Sequence, residues 1–131
     1  MTHQQNVDTV IRYLNETRNA MGLSRRELAR RAGVSDHAIM HLERGAADLY
    51  TVTSVLHALD SKFSADLTVI GSRIFEKRMD MRMTLRQLGE VCGVAPVTIS
   101  RLERGITATQ IRLFAKICAG ADLDILEVLM V

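Results

Sequence analysis

The chain of 131 residues has no Trp, two Tyr, three Phe, one Pro and two Cys. Long all-β architectures lean on aromatics and turn breakers, so this scarcity turns the expectation toward helices. Cys92 and Cys118 make neither a disulfide framework nor a CxxC metal pair, which fits a reducing compartment. The apolar stretch near the C-terminus is interrupted by Glu127 and is far too short to span a bilayer, so no membrane partner is expected. The opening residues, MTHQQNVDTV, lack the basic start and apolar core of a signal peptide, and a cytoplasmic protein is expected. Charge of one sign is scarce as well. Seventeen basic against fifteen acidic residues leave a formal net charge of +2, which announces no nucleic-acid partner by itself. What is present is 47% hydrophobic and 24% charged residues, the composition of a folded globular chain with room for one ordinary domain or two small ones.

The kind of cation says more than the total. Fourteen of the seventeen basic residues are Arg, whose planar fork can grip a phosphate or a guanine edge with two hydrogen bonds. A GC-rich genome that writes Arg for Lys would give the same count, so position has to decide.

Position is set by an internal repeat. Residues 24–45, SRRELARRAGVSDHAIMHLERG, and residues 84–105, TLRQLGEVCGVAPVTISRLERG, share nine of twenty-two positions without a gap at a separation of sixty. Upstream, Leu14/Ile74, Glu16/Glu76 and Arg18/Arg78 keep that separation. Downstream the pattern resumes one residue shorter, with Val52, Val55 and Leu56 set against Ile111, Phe114 and Ala115. Two copies of one unit are expected, over residues 1–70 and 71–131, joined near Gly71.

Within each copy the periodicity is helical. Val7, Val10, Ile11 and Leu14 form a stripe at helix spacing that ends near Gly22. A second helix opens on a capping box, Ser24 to Glu27 and again Thr84 to Gln87, and closes at Gly33 or Gly93. A third starts at Ser35, or with Pro96 in its first turn, and stops at Gly45 or Gly105. A fourth carries Val52, Val55, Leu56 and Leu59, or Ile111, Phe114 and Cys118. The apolar stretches that follow, DLTVI at 66–70 and DLDILEVLMV at 122–131, fit either a short strand or a small fifth helix, with strands favoured. The expected class is therefore mainly all-α, two tandem helix-turn-helix bundles with a short β-strand admitted after each.

Two helices joined by a Gly-containing turn form a helix-turn-helix. The pattern S/T-x-x-E/Q-L-A/G-x-x-A/C-G-V-x-x-x-x-I-x-x-L-E-R-G, present twice, resembles the Cro/C1-type (lambda-repressor-like) helix-turn-helix family of phage repressors, antitoxins and restriction controllers. With its flanking helices the resemblance covers nearly the whole chain. It implies a structural ion pair between Arg18 and Glu43, and another between Arg78 and Glu103. It also implies that the start of the third helix enters the DNA major groove. Carried over by position, Ser35, Asp36, His37 and His41 face bases in copy one, and Val97, Thr98, Ser100 and Arg101 in copy two. Arg101 has the fork for guanine, Thr98 or Val97 suits a thymine methyl, and His37 or His41 can donate to an acceptor. Arg25 stands where the family places a phosphate contact, and Arg44, Arg86 and Arg104 are further phosphate candidates. Two positions depart from the pattern: Asp36 puts a negative charge near the DNA, and Leu85 stands at the phosphate-contact position of copy two, flanked by Arg82 and Arg86.

The residues themselves show a DNA-reading surface; the resemblance implies a sequence-specific, double-stranded DNA-binding regulator, with repression favoured, acting as a homodimer, and the duplication offers a pseudo-dimer within one chain instead. Pairing of 66–70 with 122–128 would build the latter. The alternative is a protein-interaction module, antitoxin or antiactivator, that grips a partner through the repeats or the apolar tail of Leu126, Val128, Leu129, Met130 and Val131. His37 and His41 have zinc-ligand spacing, but nothing in the sequence completes the site, and no metal or cofactor is expected. Cys92 reads as a core thiol. No nucleophile elbow, glycine-rich phosphate loop or HExxH motif occurs, so enzyme is the class least expected.

Overall fold

The computed structural model describes residues 2–106 and 109–131. Side-chain caps set where its helices begin. Helix α1 (His3–Ala20) starts behind a capping box in which Thr2 Oγ1 accepts from the Gln5 amide and Gln5 Oε1 accepts from the Thr2 amide. The predicted boxes open α2 (Arg25–Ala32) at Ser24 and Glu27, and α6 (Leu85–Cys92) at Thr84 and Gln87. Both helices end on left-handed glycines, Gly33 and Gly93, each at φ 70°. Helix α3 (Asp36–Glu43) is capped by the Ser35 hydroxyl, while α7 (Pro96–Glu103) has no side-chain cap and begins on Pro96, whose missing N–H costs nothing there. The remaining elements are α4 (Leu49–Leu59), α5 (Leu67–Asp80), α8 (Ile111–Gly120) and α9 (Ile125–Val128). The fold is all-α, and no helix among the described residues is long and apolar enough to cross a membrane.

Two sequence expectations are corrected. The stretches favoured as strands are helical, because an aspartate caps each one. Asp66 Oδ1 accepts from the Thr68 amide at the head of α5, and Asp124 Oδ1 accepts from the Leu126 and Glu127 amides at the head of α9. Residues 66–70 and 122–128 do not pair. The chain beside them does: Ser64 N donates to Leu129 O at 2.8 Å and Val131 N to Lys62 O at 2.7 Å, around an isolated antiparallel bridge between Phe63 and Met130. The fourth helices also match in a different register. Leu49, Val52, Thr53, Val55, Leu56 and Leu59 are buried in α4, and Ile111, Phe114, Ala115, Ile117, Cys118 and Ala121 follow the same sequence of spacings in and just beyond α8, a separation of sixty-two. The loop before α8 is thus two residues longer than its counterpart.

One core serves both repeats. Helix α5 runs through the junction expected near Gly71; its first turn follows α4 much as α9 follows α8, and its remainder is the first helix of the second repeat. Helix α1 packs mainly along α8, with smaller contacts on α4 and α9. Its buried Asn6 donates Nδ2 to Ala115 O at 3.2 Å. At the heads of α4 and α8 the repeats exchange two equivalent hydrogen bonds. Leu49 N donates to Thr109 O at 2.7 Å and Ile111 N to Ala47 O at 2.9 Å, around the bridge between Asp48 and Gln110. The apolar tail belongs to this core: Val128 and Leu129 are buried and Leu126 and Met130 half-buried, while Glu127 and Val131 are exposed. Arg73, on α5, donates to the carbonyls of Glu127, Val128 and Met130 and so caps the end of the chain.

A glycine decides how the first helix of each repeat sits. A Cβ on Gly71 would collide with the Leu102 and Glu103 carbonyl oxygens, so α5 lies directly on α7. Ile11 is the counterpart of Gly71, and its side chain approaches Gly45 behind α3. No such close packing joins α1 to α3. A branched side chain stands where the second repeat has none.

Candidate nucleic-acid interface

The two helix-turn-helix units present their third helices in the same way. Ile39 and Leu42 on α3, and Ile99 and Leu102 on α7, are fully buried and fix the inner face. That leaves Ser35, Asp36, His37 and His41 exposed on α3, with Ala38 half-buried between them. On α7, Val97 is exposed at 52%, Arg101 is exposed, and Thr98 and Ser100 are half-buried. Every base-facing candidate therefore lies on or beside the outer face of its helix. Ser35 has a second task, since its Oγ accepts from the Ala38 amide at 3.1 Å. His37 and His41 share the α3 face, and among the described residues no cluster of three metal-ligating side chains forms.

The cations divide more sharply. Arg44 is exposed just past α3, and Arg104, past α7, donates Nε to Ser100 O at 3.3 Å. Arg86 faces solvent with a loose partner, Glu90, at 3.7 Å across one helical turn, a contact worth little. Arg25 is not free. Its Nε donates to both oxygens of Glu43 at 2.7 and 2.9 Å, and the hydrogen bond, then the charge of Glu43, raises its pKa above the ordinary guanidinium value.

That contact corrects one of the two expected ion pairs. Arg78 and Glu103 pair as predicted, with Nε on Oε2 at 2.7 Å and Nη2 on Oε1 at 2.9 Å. Their side chains are only 11% and 6% exposed, and Arg78 Nη1 also donates to Met83 O. The Glu103 hydrogen bond holds the Arg78 pKa above its ordinary value. Arg18 and Glu43 do not pair. Arg18 keeps the matching contact, Nη1 to Leu23 O at 2.8 Å, but its buried Nε has no partner. The cause is twofold. Ile11 stands where Gly71 allows the close α5–α7 packing, and Arg25, whose counterpart is Leu85, competes for the carboxylate.

Three features of this surface lie outside the motif. Arg82 adopts a left-handed backbone, φ 55°, in the turn before α6, where the first repeat has Gly22 at φ 69°. Such a conformation costs a residue with a Cβ about 1 kcal/mol. Gln110 heads α8 with no side-chain cap bond, and Arg112 Nε donates to Gly45 O at 3.2 Å. The unusual N-cap residue was the one visible sign of Gln110; the loop lengthening that places it was not legible. Cys92 is buried, its Sγ donates to Ile117 O at 3.7 Å, and burial lifts its pKa above the ordinary thiol range, as suits a core thiol.

Comparison with known families gives two matches that tile the chain. A model described as a helix-turn-helix domain covers residues 12–68, and one described as helix-turn-helix covers residues 74–128. Neither the curated proteins nor the solved structures yield a significant match.

Proposed function

The chain is a tandem member of the Cro/C1-type helix-turn-helix family, a DNA-binding architecture, and on that premise we propose that it is a sequence-specific transcriptional repressor. In this reading α3 and α7 each enter a major groove and the bound chain occludes a promoter in the cytoplasm. His37 and His41 meet acceptors on one half-site. Arg101 forks onto a guanine of the other, beside a thymine methyl packed on Val97 or Thr98. Arg44, Arg86 and Arg104 hold phosphates; Arg25 joins them when it releases Glu43. Arg78 and Glu103 are structural.

The observation that carries the reading is the pairing of two intact units in one chain with different outer faces on α3 and α7. Two unlike readers in fixed relation suit an imperfect palindrome or an asymmetric site.

Selection of bound duplexes from a random pool, followed by salt titration on the winner, tests this. A preferred asymmetric site whose affinity falls steeply with salt is expected. On it, Arg101→Ala should lose ~1–3 kcal/mol and relax selectivity at one base pair. Tight, salt-insensitive capture of a protein with no retained DNA would overturn it in favour of a protein-interaction module.

A further inference from the structure

The outer face of α3 does not end with its own repeat. A groove bordered by His37, His41 and Ala46 reaches Gln110, and from there a second groove runs between His3, Arg112 and Lys116. Gln110, Arg112 and Lys116 all belong to the second repeat. The longer loop before α8 and the exchanged hydrogen bonds at the heads of α4 and α8 bring them beside the first. Arg112 is anchored there through Nε on Gly45 O, at the exit of α3.

The chemistry of these side chains is one-sided. In the register that superposes α4 and α8, their counterparts are Asp48, Tyr50 and Ser54, none of them basic. The carboxylate of Asp48 is spent on the Thr51 amide at 2.8 Å, whereas the amide of Gln110 makes no cap bond. No acidic side chain lines the groove of His3, Arg112 and Lys116. Asp48 also lines the first groove, but beyond Gln110 the two cations Arg112 and Lys116 face no lining carboxylate, and a cationic groove contiguous with a groove-reading helix complements a continuing phosphate strand.

We propose that the second repeat extends the DNA contact of the first: Gln110 meets the duplex beside His41, and Arg112 and Lys116 hold the phosphate backbone beyond it. This rests on α3 reading DNA. The footprint is then lopsided, longer on the half-site of α3 than on that of α7.

The test uses the full chain and a duplex selected from a random pool, with Lys116→Gln, Gln110→Ala, His41→Ala and Arg101→Ala compared at matched thermal stability. Lys116→Gln keeps the aliphatic stem and should lower the slope of log affinity against log salt by about 1, weakening all sequences alike. Gln110→Ala should weaken binding and loosen preference next to the position that His41→Ala loosens. Unchanged slope and preference in both variants, while His41→Ala or Arg101→Ala still weakens binding, would overturn the extension and leave DNA reading standing. A chain that retains no duplex at low salt overturns both.

Discussion

In the second repeat α5 lies directly on α7 and the Arg78–Glu103 pair is closed and nearly sealed from water. In the first repeat α1 turns instead to α8, Glu43 pairs outward with Arg25, and Arg18 keeps a buried nitrogen without a partner. The consensus residues of the motif are matched in both, so the difference arises at one variable position within its span and at one upstream of it. A glycine that permits close helix contact, Gly71, has become Ile11, and an apolar Leu85 has become a cation, Arg25, at the rim of the pair. One substitution removes a close packing and the other supplies a competitor. Together they convert a buried structural pair into an exposed one, on the side where a phosphate would lie.

Removing the two carboxylates separately should give the largest difference between the repeats. Glu103→Ala leaves the Arg78 charge nearly buried and should cost ~3–5 kcal/mol in denaturant unfolding. Glu43→Ala, which frees an exposed Arg25, should cost far less. Equal losses would mean that the two pairs do the same work.

Next in size is Gly71→Ala. The added methyl has carbonyl oxygens and no flexible side chain to push against, so ~1–3 kcal/mol of overpacking is expected in the melting curve. Ile11→Ala, the complementary change, should let Glu43 move toward Arg18, visible as a changed Arg18 Nε–H resonance. No change there would assign the open pair to competition from Arg25 alone.

Arg82→Gly probes the other side of the asymmetry. Relief of the left-handed backbone should stabilise the protein by about 1 kcal/mol at most, offset in part by the greater freedom of glycine in the unfolded chain. If Arg82 faces phosphate, the same variant binds DNA more weakly. Higher stability with unaltered binding would make the strained turn incidental.

The smallest effect is acidic. Hydrogen bonds from the Thr68 hydroxyl and then its amide hold Asp66 below the ordinary carboxylate range. A group depressed by folding contributes stability that is present above its unfolded value and lost as pH falls through the folded one. The Asp66→Asn variant should therefore show a shallower loss on acidification than the parent; identical acid curves would remove the cap from the account.

Much of the first layer was legible because it is local. Capping boxes, left-handed glycines and Pro96 act within four residues of themselves, and all lie where the sequence places them. The buried pair of the second repeat was legible through resemblance. That of the first was not, because Ile11 and Arg25 act across the fold rather than along the chain. The register of α8 escaped for a geometric reason: apolar positions spaced by three and four look much the same after a shift of three residues. Segments 66–70 and 122–128 were too short for period to separate a strand from a capped turn, and the Asp66 and Asp124 caps were the better signal.

The paired hydrogen bonds between the heads of α4 and α8, with α5 running from one repeat into the other, also bear on concentration. Two separate chains must first find each other, so dilution removes the pair before it removes the monomer. Here the second half arrives with the first, at an effective concentration that no change in expression alters. Under the proposed function, with a single chain as the reading unit, occupancy of an operator rises with the first power of protein concentration, and graded expression is read as a graded response rather than a threshold.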